Sequence, residues 1–401
     1  MRVTNTAIYR QYTSSVNDVH SQLNKSMNKI SSGKAYESAA ENPLAYYSGQ
    51  RMDTQYQDVL SKKQLLEDVD KRLYQQEQAI RTIQSTLATG QDNAASKVSY
   101  ILNTPNNEIS TNVGTIRDDL IQKQQSMINN LNGKYESFYV FGGNDLSTTP
   151  FALTYDSTNN KMVMTYSHKF SGDDEATEFK FQLKEENGEY TFKLDDPDGK
   201  QWDKLKLAME EQGRVDVGYG SIHDTKTLID TYTGGMNVLT NISSDSMRTK
   251  TPAYEKEDVE KALANSAIGI LGQGIITMNK YMTYLDNGRT TAVGNDETGS
   301  ASAIDKEEFH KKLGGVLDQM QTSSDLLGRT YSDLGNKSNQ LENTLTRLED
   351  DKLNLETQYQ EKLGADPYEA IVEMFSYQRS YTAALQVSSK IMGISLFDFM
   401  R

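Results

Sequence analysis

Between residues 327 and 355 leucine returns at every seventh position, as Leu327, Leu334, Leu341, Leu348 and Leu355. Four residues further on, Tyr331, Leu345 and Tyr359 occupy three of the intervening sites, while Ser338 and Lys352 hold the other two. An apolar period of 3.5 residues draws a narrow seam along a helix, and such a seam is stable only against another helix. One rod from Asp305 to Leu363 would be roughly 85 Å long at about 1.5 Å per residue, more than a compact domain accommodates. Leucine stripes close more often within a chain than between chains. Leu327, Leu334, Leu341, Leu345, Leu348 and Leu355 are therefore expected to form an intrachain seam against the helices of residues 50 to 135.

Those helices are legible by periodicity. One apolar run passes through Met52, Tyr56, Val59, Leu66, Val69, Leu73, Ile80, Ile83 and Leu87, and another through Val113, Ile116, Leu120, Met127, Ile128 and Leu131. Before them a stripe of Ile8, Tyr12, Val16, Val19, Leu23, Met27 and Ile30 ends at Gly33, a C-cap residue, and Asn42-Pro43 restarts a helix.

The chain finishes with a matching stripe. After LGADP, residues Ile371, Met374, Tyr381, Leu385 and Met392 share one side of a helix, and SLFDFMR extends it with Leu396, Phe397 and Phe399. Chain ends are usually frayed and polar, so an apolar end needs something to bury it. Two helices that have only each other are marginal in water and leave apolar flanks, which points to further partners. The residues expected to meet other subunits are Ile8, Tyr12, Val19, Leu23, Met27, Ile30, Met374, Tyr381, Leu385, Met392, Leu396, Phe397 and Phe399.

Near Phe138 the pattern changes. KMVMTYSHKF, EFKFQLK and EYTFKL alternate in polarity, and GDDE, ENGE and DPDGK separate them. This reads as an antiparallel β insert with hairpin turns. A single helix is expected from Lys256 to Tyr284, and a flexible loop from Gly288.

The formal charge of -14 argues against nucleic acid or an anionic membrane as a partner, since both need clustered Lys and Arg. No stretch reaches the roughly 18 apolar residues of a membrane span, and MRVTNTAIYRQY lacks the apolar core of a secretory signal, so the address reads as cytosolic. The absence of cysteine excludes disulfides and thiolate metal sites, and suits a chain that is threaded through a channel.

Chemistry is poorly supported. His20, His168, His223 and His310 are scattered without an HExxH, and His310 beside Glu307 and Glu308 reads as a solvated helical face. GILGQG and DPDGK fail the spacings of nucleotide and calcium loops, and read as a helix with small residues and a hairpin turn. No catalytic, cofactor or metal residue is expected, and the chain is not expected to be an enzyme.

In this order of parts the chain resembles the flagellin superfamily. ISSGKAYESAAENPLAYYSGQRM is similar to the family's N-terminal joint and DLGNKSNQLENTLTRLEDDKLNLE to its C-terminal rod segment; the resemblance covers about residues 1 to 145 and 305 to 401. Within the superfamily, FGGNDLSTTPF resembles the Phe-Gly-Gly and Pro-Phe element with which the hook-associated junction family leaves its rod, and SSKIMGISLFDFMR is closer to that family than to flagellin. The acidic loop around Asp296 does not match the family pattern.

The resemblance implies an elongated, mainly α fold with a central antiparallel β insert and terminal helices pairing as a coiled coil or bundle. Its implied parts are 1–40 and 364–401 as halves of an axial tube domain, 41–140 and 305–363 as halves of a helical rod, and 141–304 as an outward insert with a helix near 256–284. It further implies a structural adaptor between a hook-side hook-associated protein and the flagellin filament, with copies of itself forming a ring-like or helical zone. Family members leave the cell unfolded through the flagellar type III channel, after a cytosolic chaperone has covered the C-terminal helix. Two alternatives stand: flagellin itself, or an extracellular glycan-binding module whose Tyr155, Tyr166, Tyr190 and Tyr219 stack on sugars. Alternating aromatics more often serve cross-strand packing.

Overall fold

The computed structural model describes residues 2–36, 38–104, 109–157, 159–186, 188–217, 228–286 and 303–399, without the side chains of 2–6, 8, 110, 111 and 388–399. The chain is mainly α with a central antiparallel sheet. It divides into two compact units, one of residues 1–65 with 345–401 and one of residues 66–344. The divisions fall at 65/66 and 344/345.

The first unit opens with α1 (Arg2–Ser32). Gly33 ends it at φ 66°, its N–H donating to the Lys29 carbonyl at 2.9 Å, in the left-handed conformation that glycine adopts without a steric penalty. Helix α2 (Pro43–Gln84) restarts as the sequence suggested: Pro43 sits at its first position, and the Ala45 N–H donates to the Asn42 side chain at 3.1 Å. At the other end of the chain, α10 (Lys306–Leu363) is one unbroken helix of 58 residues, and α11 (Pro367–Phe399) follows it. Asp366 caps α11 by accepting from the N–H groups of Tyr368 and Glu369 at 2.8 and 3.3 Å.

The second unit begins within α2, which ends in a π-turn at Ser85–Thr89. Helix α3 (Ala94–Asn103), capped by Asn93 through Ser96 N–H at 2.6 Å, was not anticipated; α4 (Ile109–Leu131) was. A small hairpin of β1 (Lys134–Tyr135) and β2 (Phe138–Tyr139) leads to β3 (Phe151–Asp156), β4 (Lys161–His168), β5 (Thr177–Glu186) and β6 (Glu189–Leu194), an antiparallel meander in that order. Strand alternation sets its buried face: Met162, Met164, Tyr166 and His168 of β4 point inward beside Phe179, Phe181 and Leu183 of β5.

Two expectations fail beyond β6. DPDGK is not a hairpin turn but the start of α5 (Lys200–Glu210), because the Asp196 carboxylate accepts from the N–H groups of Gln201 and Trp202 at 3.0 and 3.3 Å and so satisfies the first turn. After the pair β7 (Arg214–Asp216) and β8 (Leu228–Asp230) come α6 (Gly235–Thr240) and α7 (Ser244–Thr249). The single helix expected over 256–284 is two, α8 (Lys256–Ala264) and α9 (Ala267–Asp286). At the break α9 starts hard against the end of α8: a Cβ on Gly269 would lie 2.4 Å from the Ala264 carbonyl oxygen. Helix α9 packs along α4 and is buried on nearly every side from Ala267 to Met278, as a largely apolar helix must be.

Candidate assembly surface

In the first unit α1 and α11 run antiparallel along each other. Three contacts set the register. The Tyr12 hydroxyl donates to the Ala384 carbonyl, His20 lies 5.4 Å from the Tyr381 ring, and Lys29 pairs with Glu373 at 3.2 Å. The two joints foreseen in the sequence meet here. An isolated β-bridge pairs Lys34 with Gly364, the Ala35 N–H donates to the Leu363 carbonyl at 2.6 Å, and the Ala365 N–H donates to the Gly33 carbonyl at 2.9 Å. Gly49 packs under the same place, since a Cβ there would fall 1.7 Å from Leu363 Cδ1.

This pairing half-buries Tyr12, Val19, Leu23, Ile30, Met374 and Tyr381, whereas Met27 and Leu385 stay exposed at 51% and 48%. Other large apolar side chains join them at the surface: Tyr9, Tyr368, Ile371, Val372, Phe375 and Val387. The side chains of Ile8, Met392, Leu396, Phe397 and Phe399 lie outside the described residues; the α11 backbone is helical through Phe399. Lone exposed apolar residues are ordinary, but a run of them along one helix marks a surface that a partner covers.

The leucine seam is placed in both units. In the second, Leu327, Leu334 and Leu341 are buried, and α10 lies antiparallel beside α2: Gln84 donates to the Ser324 carbonyl at 2.8 Å, Arg81 stacks on the Tyr331 ring at 5.0 Å, and Ser338 donates to Asp70 at 2.5 Å. In the first, Leu348 is buried and Leu345 and Leu355 are half-buried. There Tyr56 donates to Glu356 at 3.0 Å, and Lys63 pairs with Glu349.

The FGGNDLSTTPF segment is held by residues the sequence reading passed over. Phe141 and Phe151 are buried anchors, with Gly143 between them at φ 72°. Fully buried Gln76 donates to the carbonyls of Val140 and Thr233 at 2.5 and 2.8 Å and accepts from the Thr233 N–H at 3.0 Å. Arg72 donates to the Gly143 carbonyl at 3.0 Å and stacks 4.6 Å from the Tyr232 ring centre, and burial pushes the Tyr232 hydroxyl up to about 12. Burial would raise the Asp145 carboxyl, but hydrogen bonds from the Thr148 side chain, from the N–H groups of Ser147 and Lys169 at 2.9 Å and from the Ser147 hydroxyl at 2.9 Å outweigh it and hold the group at about 2. A polar residue inside an apolar helical stripe, as Gln76 is, was the available signal.

The described histidines show no convergence on a catalytic or metal site. His310 is half-buried, not solvated, with Nε2 lacking a hydrogen-bond partner; burial, then the charge of Lys306, lowers its pKa. His168 is fully buried and faces Glu211 at 3.2 Å, and His223 lies outside the described residues. Among the described residues no three metal-ligating side chains cluster, and no helix is long and apolar enough to cross a membrane.

Solved flagellar structures are similar to this chain. One, described as a flagellar hook-associated protein from Vibrio parahaemolyticus, matches with 9% identity and a TM-score of 0.43, covering 81% of this chain and 100% of that one. Another, FlgL from Bacillus cereus, matches with 14% identity and a TM-score of 0.36, covering 79% of this chain and 100% of that one. No family model matches the sequence, and no curated protein does.

Proposed function

We propose that the chain is a structural component of the bacterial flagellum, a junction adaptor between a hook-side hook-associated protein and the flagellin filament. One observation carries the reading: α1 and α11 pair in antiparallel register yet leave Met27, Tyr368, Val372, Phe375 and Leu385 exposed, a face suited to burial against other helices. Copies of the chain cover this face around a ring-like or helical zone, and the terminal helices of the two adjoining proteins cover it above and below. Before export through the type III channel, a chaperone occupies the same apolar surface of α11. The Phe-Gly-Gly segment, whose resemblance is to the junction family, favours the adaptor over flagellin.

Electron micrographs of a strain lacking the gene separate the readings. The adaptor predicts hooks without filaments and flagellin monomer in the medium. A normal hook and junction zone without a filament would instead make the chain flagellin.

A further inference from the structure

In the second unit, the β5–β6 hairpin and helices α8, α9 and α10 surround a cavity of about 830 Å³. Four buried polar atoms on its lining have no hydrogen-bond partner among the described residues: Thr277 Oγ1, Thr191 Oγ1, Tyr190 Oη and Gln319 Oε1. Thr277 is wholly buried, and Thr191 is 8% exposed. The Tyr190 hydroxyl faces Thr277 and Glu185 without completing a bond to either, and burial raises its pKa, so it stays a neutral donor and acceptor.

Buried polar atoms without partners are costly, and three hydroxyls with one amide oxygen around one cavity call for guest groups that both donate and accept. Charge does not select the guest. Lys261, Lys311 and Lys312 on the lining are balanced by Glu185, Glu189 and Glu308, and Glu185 is already closed on Lys312 at 2.5 Å and on Lys280 at 2.7 Å. The Tyr190 ring, the threonine methyls and Val316 add apolar surface. Size decides against a single trapped water, which occupies about 30 Å³, and falls within the roughly 300 to 1,000 Å³ of small-molecule sites.

We propose that this cavity binds a neutral sugar of one or two rings, its hydroxyls satisfying Thr277, Thr191, Tyr190 and Gln319. The proposal is independent of the assembly reading, because every group in it belongs to the second unit. Of the described tyrosines in the sugar-stacking idea, only Tyr190 lines this cavity. Tyr166 is core, Tyr155 donates to Asn160 at 3.1 Å, and Tyr219 lies outside the described residues.

Saturation-transfer NMR on the full chain with glucose, galactose, N-acetylglucosamine and maltose, each at millimolar concentration, tests this. Transfer to the ring protons of at least one sugar is expected, with an about tenfold loss of affinity in Thr277→Val or Tyr190→Phe, because a site built for hydroxyls is left unpaired without them. Circular dichroism and melting identify a variant that has unfolded, in which case the other decides. No transfer from any of the four sugars would show that the cavity holds only water and would overturn the proposal. Transfer undiminished in both folded variants would overturn it by placing the sugar elsewhere, and glucuronate binding tighter than glucose would overturn the neutral class.

Discussion

In the second unit helix α9 is enclosed along most of its length and the sheet turns Met162, Met164, Phe179 and Phe181 inward, while in the first unit α1 and α11 have mainly each other. The difference is written in how apolar residues are distributed around each helix. AIGILGQGIITM is apolar apart from Gln273 and Thr277, which line the cavity, and its remaining sides are covered by α4 and, at Gly272, by Met162 and Leu183 of the sheet. PYEAIVEMFSYQRSYTAAL mixes apolar and charged positions, so one contact line to α1 leaves Ile371, Val372 and Phe375 without a counterpart. Most of the large exposed apolar side chains fall in this smaller unit. Two units of one chain therefore differ in how completely their apolar side chains are buried.

The largest expected effect lies in the second unit. Leu341 is wholly buried, so Leu341→Asp should cost about 4 kcal/mol or more by urea unfolding, since a buried charge without a partner is among the costliest changes. A loss below about 0.5 kcal/mol, typical of surface positions, would put Leu341 at solvent.

A smaller effect is expected at the joint of the first unit. Gly49→Val would drive a side chain into Leu363, and overpacking of this kind costs about 1 to 3 kcal/mol. Faster hydrogen exchange over residues 43–65 and 363–370 reads it; unchanged exchange would mean that the Gly49 contact does not hold the joint.

Asp145 gives a pH test. Its carboxyl sits at about 2 against an ordinary 3.8, so the fold favours the ionised form. Its contribution is full above the ordinary value and disappears as pH falls through about 2. Asp145→Asn should lose about 1 kcal/mol at neutral pH once solvent screening is allowed for, and only a small part of that near pH 2, where the carboxyl is half protonated. A penalty equal at both pH values would assign the loss to packing.

Much of this was legible because local chemistry and period agree. Gly33, Asn42-Pro43 and Asp366 act as caps with short-range rules, and the alternation of KMVMTYSH fixes which face of β4 is buried. Other features depend on distant segments. Asp196 turned an apparent hairpin into a helix start through side-chain bonds, and Gln76 meets Val140 and Thr233, far away in sequence. The sugar-sized cavity gathers residues 185 to 319, none of which stands out alone.

The smallest stability effect belongs to the unfinished surface and makes the most direct measurement. Phe375 is 51% exposed, so Phe375→Asp should leave monomer melting within about 0.5 kcal/mol of wild type. Immunogold labelling of hook tips, in a strain carrying only this variant and with export into the medium measured alongside, then reads assembly. If neighbouring subunits complete the α1 and α11 pair, the variant melts and is exported normally but is missing from the hook tip. Normal incorporation at the hook tip would contradict that account, because the face would not be buried there.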